Sequence, residues 1–176
     1  MCITHAFYVE GENKPVTVYK VIERHTVTKE NDPESTEVMI TRKTPFRGVI
    51  LSENTINGTV PFVAKGESDI VGEFQADGKR YAKAVNGGFI HTYATMRSAI
   101  KDYFEFYRRE CEKDKNVKVE IYECEIPAGE GYWGGMFDDN VFIKCTASKS
   151  IVFKRKLTQE EIENRGTEKF QAVDSK

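Results

Sequence analysis

The chain has 176 residues, of which 39% are hydrophobic and 31% are charged, so it has the length of one domain and the composition of a globular protein. Its 26 lysines and arginines and 28 aspartates and glutamates give a net charge of −2, which excludes a global attraction to nucleic acid or an anionic membrane and leaves room only for a local basic patch. The sequence contains no apolar run of membrane-spanning length and no secretion signal at its start, so we expect a cytoplasmic protein.

The cysteines are scattered along the chain without a Cys-x-x-Cys pair, at Cys2, Cys111, Cys124 and Cys145. This spacing predicts reduced thiols rather than a disulfide framework. Cys2 and His5 form a Cys-x-x-His, which is the one pattern that points to a soft metal, but His25 and His91 lie in unrelated segments. We therefore expect neither a metal nor another cofactor.

The first half of the chain is predicted to be extended. The segment VTVYKVI, about Val16 to Ile22, mixes β-branched and aromatic residues and predicts a strand. The polar stretch 23–37 predicts an exposed loop or hairpin tip, with residues 29–36 mobile. Residues 37–66 read as short extended pieces separated by turns, and residues 67–88 as either a loop with a short helix or an irregular hairpin.

A helix is predicted from Met96 to Lys113, after a short strand over 89–94. Thr95 is a suitable N-cap, and apolar residues recur at intervals of three and four positions, at Met96, Ile100, Tyr103, Phe104, Tyr107 and Cys111. The opposite face carries charged residues, including Arg97 and Lys101, as a solvated helix surface does.

After this helix, strands are predicted in VKVEIYECEI, VFIKC and SIVFKRKL. The glycine-rich segment 127–140 between them is predicted to be a loop. Thr158 and Glu161 match a capping box that begins a short helix ending before Gly166, and residues 166–176 are expected to be a disordered tail. The predicted fold is α+β: a single domain over 1–165 with a mostly antiparallel sheet and one long amphipathic helix packed on it.

The segment GGFIHTYAT is the leading candidate for a binding site. It places His91, Thr92 and Thr95 just before a helix N-terminus, where a phosphate-bearing ligand would be favoured. The alternative is that the glycines form a turn and Thr95 only caps the helix. Lys20, on the first strand, is a second candidate for an anion contact, or else a surface lysine. The common nucleotide and catalytic motifs, such as a P-loop or GxSxG, are absent from the sequence.

Trp133 is the third candidate. It is the only tryptophan and lies in the glycine-rich segment, so it either covers a flat ligand group from an exposed loop or closes one end of the core. Asp138 and Asp139 follow it and could hold a hard cation, although paired acids in a loop are usually solvated. The predicted ligand-binding set is therefore Lys20, His91, Thr92, Thr95 and Trp133.

Several segments together resemble a group of small uncharacterised proteins of bacteriophages and prophages, notably those of gut Bacteroides-type bacteria. These segments are MCITHAFYVEG, VTVYKVI, GGFIHTYAT, YECEIPAG and ASKSIVF, and they cover pieces of most of the first 153 residues. The resemblance implies a phage or prophage origin and no established activity.

The layout is also similar to that of ADP-ribosyltransferase-like domains. A Tyr19-Lys20 strand, a Gly-Phe-x-His-Thr strand leading into a helix, and a strand ending in Ile-Pro-Ala-Gly occur in the same order. The resemblance implies that Lys20 takes the family's arginine position, with His91, Thr92 and Thr95 near its Ser-Thr-Ser position. The segment ASKSIVF offers no counterpart for the catalytic glutamate, which argues against transferase activity.

These observations predict a non-enzymatic binding protein of phage or prophage type. It would act in the host cytoplasm on a host protein or a small anionic, nucleotide-like ligand, and would counter a host defence. The alternatives are an NAD-using ADP-ribosyltransferase-like enzyme and a structural component of the virion. We expect neither nucleic acid nor a membrane as a partner.

Overall fold

An antiparallel sheet dominates the computed structural model of the chain, which describes residues 3–29, 32–40 and 49–168. Its strands are β1 Ile3–Val9, β2 Val16–Lys29, β3 Asp32–Ile40, β4 Ile50–Leu51, β5 Phe62–Val63, β6 Ile70–Val71, β7 Phe74–Ala76, β8 Lys79–Val85, β9 Ile90–Tyr93, β10 Val117–Ile126, β11 Tyr132–Phe137, β12 Asn140–Ser148 and β13 Ser150–Lys156. The main path across the sheet is β5-β13-β10-β2-β9-β12-β11-β1-β8-β6. Strand β3 pairs with β2 and β4, and β7 pairs with β8.

Strand β2 pairs with three other strands, β10, β3 and β9. Its alternation of β-branched and polar residues suits a half-buried strand, and it pairs with β10 from Val16↔Ile126 to His25↔Val117. The predicted strand over 16–22 is confirmed but extends further, to Lys29. The stretch 23–37 was predicted to be an exposed loop or a hairpin tip, and its described residues belong to the β2–β3 hairpin, whose two paired arms they form. Residues 30–31, at the tip of the predicted loop, lie outside the described residues.

The helices are α1 Glu53–Ile56, α2 Met96–Asp102, α3 Arg108–Glu110 and α4 Gln159–Glu168, with a π-helical segment at Tyr103–Tyr107 between α2 and α3. Thr95 caps α2 as predicted, because its Oγ1 accepts a hydrogen bond of 3.0 Å from the backbone N–H of Ser98. The region predicted as one regular helix is thus divided, and the wider turn is marked by the bond from the Arg108 N–H to the Tyr103 carbonyl.

The two faces of the sheet bury separate apolar clusters. On the first, which we call the helix face, α2 and the π-helical segment pack with Ile100, Tyr103 and Tyr107 against the sheet. The second, the far face, is covered over β10 and β13 by a segment that includes Leu51, Ile56 and Phe62. Over β1 the far face is more exposed, and Phe7 is 46% exposed there, whereas Thr146 and Ser148 on β12 are buried.

Three further segments test the sequence predictions. Residues 67–88 form an irregular hairpin of β6, β7 and β8, which was one of the two alternatives. The predicted loop over 127–140 is wrong in part, because Tyr132–Phe137 is strand β11 and pairs with both β1 and β12. The capping box at Thr158 and Glu161 is present, with reciprocal bonds of 3.1 and 3.0 Å. Helix α4 continues to Glu168 instead of ending before Gly166.

The fold is α+β in the broad sense, with few helices on an open antiparallel sheet. None of the helices among the described residues is both long and apolar enough to cross a lipid bilayer. Residues 169–176, which belong to the predicted disordered tail, lie outside the described part of the chain.

Candidate functional site

Lys20 is buried inside the sheet rather than presented to solvent. Its side chain is 2% exposed, and its Nζ donates a hydrogen bond of 2.7 Å to the backbone carbonyl of His91, which joins β2 to β9. Burial lowers the pKa of Lys20 to about 7, although the nearby thiols of Cys124 and Cys145 act in the opposite direction. Lys20 therefore connects the two strands by a hydrogen bond and does not reach a surface pocket.

His91 and Thr92 are buried beside it, at 1% and 0% exposure. The Nε2 of His91 lies 2.8 Å from the carbonyl oxygen of Asn86, so Nε2 carries the proton and donates. Burial lowers the pKa of His91 to about 3, helped by the charge of Lys20 and opposed by the Asn86 carbonyl. The Nδ1 atom has no hydrogen-bond partner among the described residues, and the Thr92 hydroxyl bonds that of Thr146.

Thr95 and Trp133 lie apart from this buried group. Thr95 is exposed and caps α2. Trp133 is 1% exposed on the helix face, where its ring makes an edge contact with Tyr8 at 5.3 Å between centroids and the guanidinium of Arg80 lies 5.1 Å from it. Trp133 thus packs in the core, and its alternative placement on an exposed loop is wrong.

Three pockets that share lining residues in succession extend from the junction of α2 and β12 over β11, β1 and β8. The cationic pocket, of about 480 Å³, is lined by Thr95, Arg97, Ser98, Lys101, Val141, Phe142 and Lys144. The apolar pocket, of about 440 Å³, shares Val141 and Lys144 with it and adds residues that include Phe7, Tyr132, Gly134 and Met136. The third, of about 570 Å³, shares His5 with the apolar pocket and includes Phe74, Tyr81 and Lys83. We call the three together the sheet groove.

The start of α2 and strand β12 build the cationic pocket. The backbone N–H of Lys144 donates to the Ser98 hydroxyl at 3.0 Å, and the Ala94 N–H donates to the Lys144 carbonyl at 2.9 Å. These bonds hold β12 against the beginning of the helix, so Lys144 lines the same pocket as Arg97 and Lys101. Lys101 also forms an ion pair with Glu105, one helical turn further on.

Charge distinguishes the sheet groove from another pocket of similar size. The lysines and arginines that line the groove are Arg97, Lys101, Lys144 and Lys83, and its one lining carboxylate among the described residues is Asp139. A pocket of about 600 Å³ between the π-helical segment and α4 is lined by Arg108, Lys115, Lys118 and Lys156 together with Glu112, Asp114, Glu120 and Glu163. Opposite charges are balanced in that pocket, whereas the groove favours an anion.

Aromatic side chains line the floor and ends of the sheet groove. Phe74 and Tyr81 are stacked at 5.4 Å between centroids with an angle of 19° between their planes, and Tyr81 is in register with Phe7 on β1. The Phe7 ring lies over Gly134, where an added Cβ would come within 2.7 Å of it. Phe142 is 69% exposed at the cationic end.

His5 stands where the apolar and third pockets meet. A bulge in β1 gives it a φ of 50°, and its Nε2 lies 3.1 Å from a carboxylate oxygen of Asp139, whose own φ is 64°. The Asp139 N–H also donates to the Thr4 hydroxyl at 2.9 Å. Among the described residues no three histidine, cysteine, aspartate or glutamate side chains are grouped as metal ligands, and Cys2 lies outside these residues.

Comparison with known proteins does not assign the chain to a family. No family model, no curated protein and no solved structure matches it.

Of the predicted site residues, Lys20, His91 and Thr92 are buried inside the sheet, where only Lys20 and the His91 backbone are joined by a hydrogen bond, and Thr95 lines the cationic pocket. Sequence reasoning missed Lys144 and assigned Arg97 and Lys101 to a solvated helix surface. Only the pairing of β12 with β9 brings Lys144 to α2, and no local pattern in the sequence signals that pairing.

Proposed function

We propose that the chain is a non-catalytic binding protein for a phosphate-bearing, nucleotide-like ligand, which it holds in the sheet groove. The observation that carries this proposal is the convergence of Arg97, Lys101 and Lys144 on one pocket whose described lining residues include no carboxylate. Lysine and arginine side chains form charge-assisted hydrogen bonds to phosphate oxygens. The adjoining apolar pocket, with Phe7 and Tyr132, offers a surface for the ligand's flat group.

The biological setting follows from the sequence resemblance and is part of the same proposal. A protein of phage or prophage type would act on this ligand, or on a host protein that carries it, in the host cytoplasm, and would blunt a defence that depends on a nucleotide signal. The transferase alternative is less favoured, because Lys20, His91 and Thr92, which the resemblance maps onto the transferase site, are buried. No observation favours a virion component.

Calorimetric titration with NAD, ADP-ribose and cyclic nucleotides tests the proposal. Lys144→Ala should weaken binding about tenfold or more, because a hydrogen bond to a charged group contributes about 1.5–3 kcal/mol. The matched control is Lys118→Ala, which removes an exposed lysine from the charge-balanced pocket and should leave binding unchanged. Lys20→Met should also leave binding unchanged.

Two outcomes would contradict the proposal. One is that none of the nucleotides binds. The other is that Lys144→Ala and Lys118→Ala weaken binding equally, since that would show a diffuse charge effect and no binding in the cationic pocket.

A further inference from the structure

The length of the sheet groove exceeds what one nucleotide needs. It runs from the cationic pocket on β12 across β11, β1 and β8 to Phe74 on β7. Neighbouring strands lie about 4.8 Å apart, so these four steps span about 19 Å. Stacked bases repeat at about 3.4 Å, and the groove therefore has room for several nucleotides in a row.

Exposed aromatic rings are distributed over this whole length. Phe142 stands at the cationic end, Phe7 is in the middle, and Phe74 stacks on Tyr81 at the far end, where it is 53% exposed. A single nucleotide would occupy the cationic pocket and the adjoining apolar pocket and would leave Phe74 and Tyr81 in water. Rings on an open sheet face are suited to stacking on successive unpaired bases, which each contribute about 1–3 kcal/mol.

The charged residues fit a chain of phosphates along the same path. Lys144 lines two of the three pockets and Lys83 lines the third, so lysines and arginines outnumber the one lining carboxylate of the described residues, Asp139. The net charge of −2 supplies no long-range attraction, and this is why nucleic acid is not expected from composition. The local arrangement of charge leads to a different expectation.

We propose that the ligand of the sheet groove is a short stretch of single-stranded nucleic acid, with phosphates at Arg97, Lys101 and Lys144 and bases stacked on Phe142, Phe7 and Phe74. This inference rests on the proposed function, because it names the ligand class of the same groove. It adds two requirements: the affinity depends on the length of the nucleic acid, and it depends on the bases as well as on the phosphates.

Fluorescence anisotropy tests both requirements with an oligothymidine of about eight nucleotides and an abasic oligomer of the same length. The oligothymidine should bind more tightly than single nucleotides and at least tenfold more tightly than the abasic oligomer, and its affinity should fall as salt is raised. Phe74→Ala and Phe142→Ala should each weaken its binding about fivefold to 100-fold. Both residues are exposed, so the variants should fold, and their melting temperatures check this.

Val63→Ala is the matched control, because Val63 is an exposed apolar residue on the opposite edge strand β5. It should bind the oligothymidine as the wild type does. Equal affinity for the oligothymidine and the abasic oligomer would overturn the inference, and so would an acidic peptide that binds as tightly as the oligothymidine. If ADP-ribose binds in a manner that depends on Lys144 while Phe74→Ala has no effect on any ligand, the proposed function stands and this inference fails.

Discussion

Lys20 shows how a charged side chain becomes part of the core. Strand β2 lies between β10 and β9 at this position, and the Lys20 side chain is 2% exposed, so its ammonium group is shielded from solvent and donates a hydrogen bond to the His91 carbonyl. Desolvation disfavours the charged form, which is why the pKa falls to about 7. The same burial raises the pKa of the Cys124 thiol, so this neighbour is not a reactive thiolate.

This burial predicts a pH dependence of stability. Between about pH 7 and pH 10 the unfolded chain keeps the proton that folded Lys20 has released, since the ordinary pKa is 10.5. The unfolded state then binds more protons, so the free energy of unfolding should rise with pH over this window, by up to about 1.4 kcal/mol per pH unit from this group. Lys20→Met should remove this contribution, as measured by urea denaturation from pH 6 to pH 10.

The control for this experiment is Lys118→Met, because Lys118 is an exposed lysine whose replacement should leave the pH profile unchanged. Identical pH profiles for Lys20→Met and the wild type would show that Lys20 keeps its proton in the folded protein.

At the scale of the element, aromatic side chains fix the helical region after Thr95 against the sheet. Tyr107 is fully buried and Tyr103 nearly so, while Phe104 is only partly covered. The apolar face predicted from spacings of three and four residues is the face that packs on the sheet, and the π-helical segment adds Phe106 to the packed residues.

Substitutions along this region should therefore differ strongly. Tyr107→Ala should reduce the free energy of unfolding by about 3–5 kcal/mol, since it leaves a cavity in the core. Phe104→Ala should cost less, and Glu105→Ala, which removes an exposed ion pair with Lys101, should cost less than about 1 kcal/mol. Chemical denaturation measures all three. Similar losses for Tyr107→Ala and Glu105→Ala would mean that the packed face is assigned wrongly.

At the scale of the whole molecule, the described cysteines are buried and form no disulfide, at Cys111, Cys124 and Cys145. The two apolar clusters on opposite faces of the sheet provide a core without a cross-link. A reductant and a chelator added together should accordingly leave the melting temperature nearly unchanged in a thermal scan. A large fall with the chelator alone would indicate a metal at Cys2 and His5, and a fall with the reductant alone would indicate a disulfide.

Local patterns in the chain were enough to predict several elements. β-Branched and aromatic composition located β2, and period-two alternation located β10. An N-cap threonine before an apolar periodicity located the helix start at Thr95, and a capping box located the one at Thr158. These predictions succeeded because alternation and capping depend on residues within a few positions of each other.

The tertiary structure alone decided the rest. The glycine-rich strand β11 can approach β1 closely because Gly135 has no Cβ, which would come within 2.6 Å of the Thr4 carbonyl oxygen. Lys20 is buried because strands distant in sequence flank it, and Lys144 joins Arg97 because β12 pairs with β9. The burial of a side chain, its pKa and the grouping of charged side chains in a groove all depend on which strands are neighbours. That information is spread over the whole chain and is not held in any one segment.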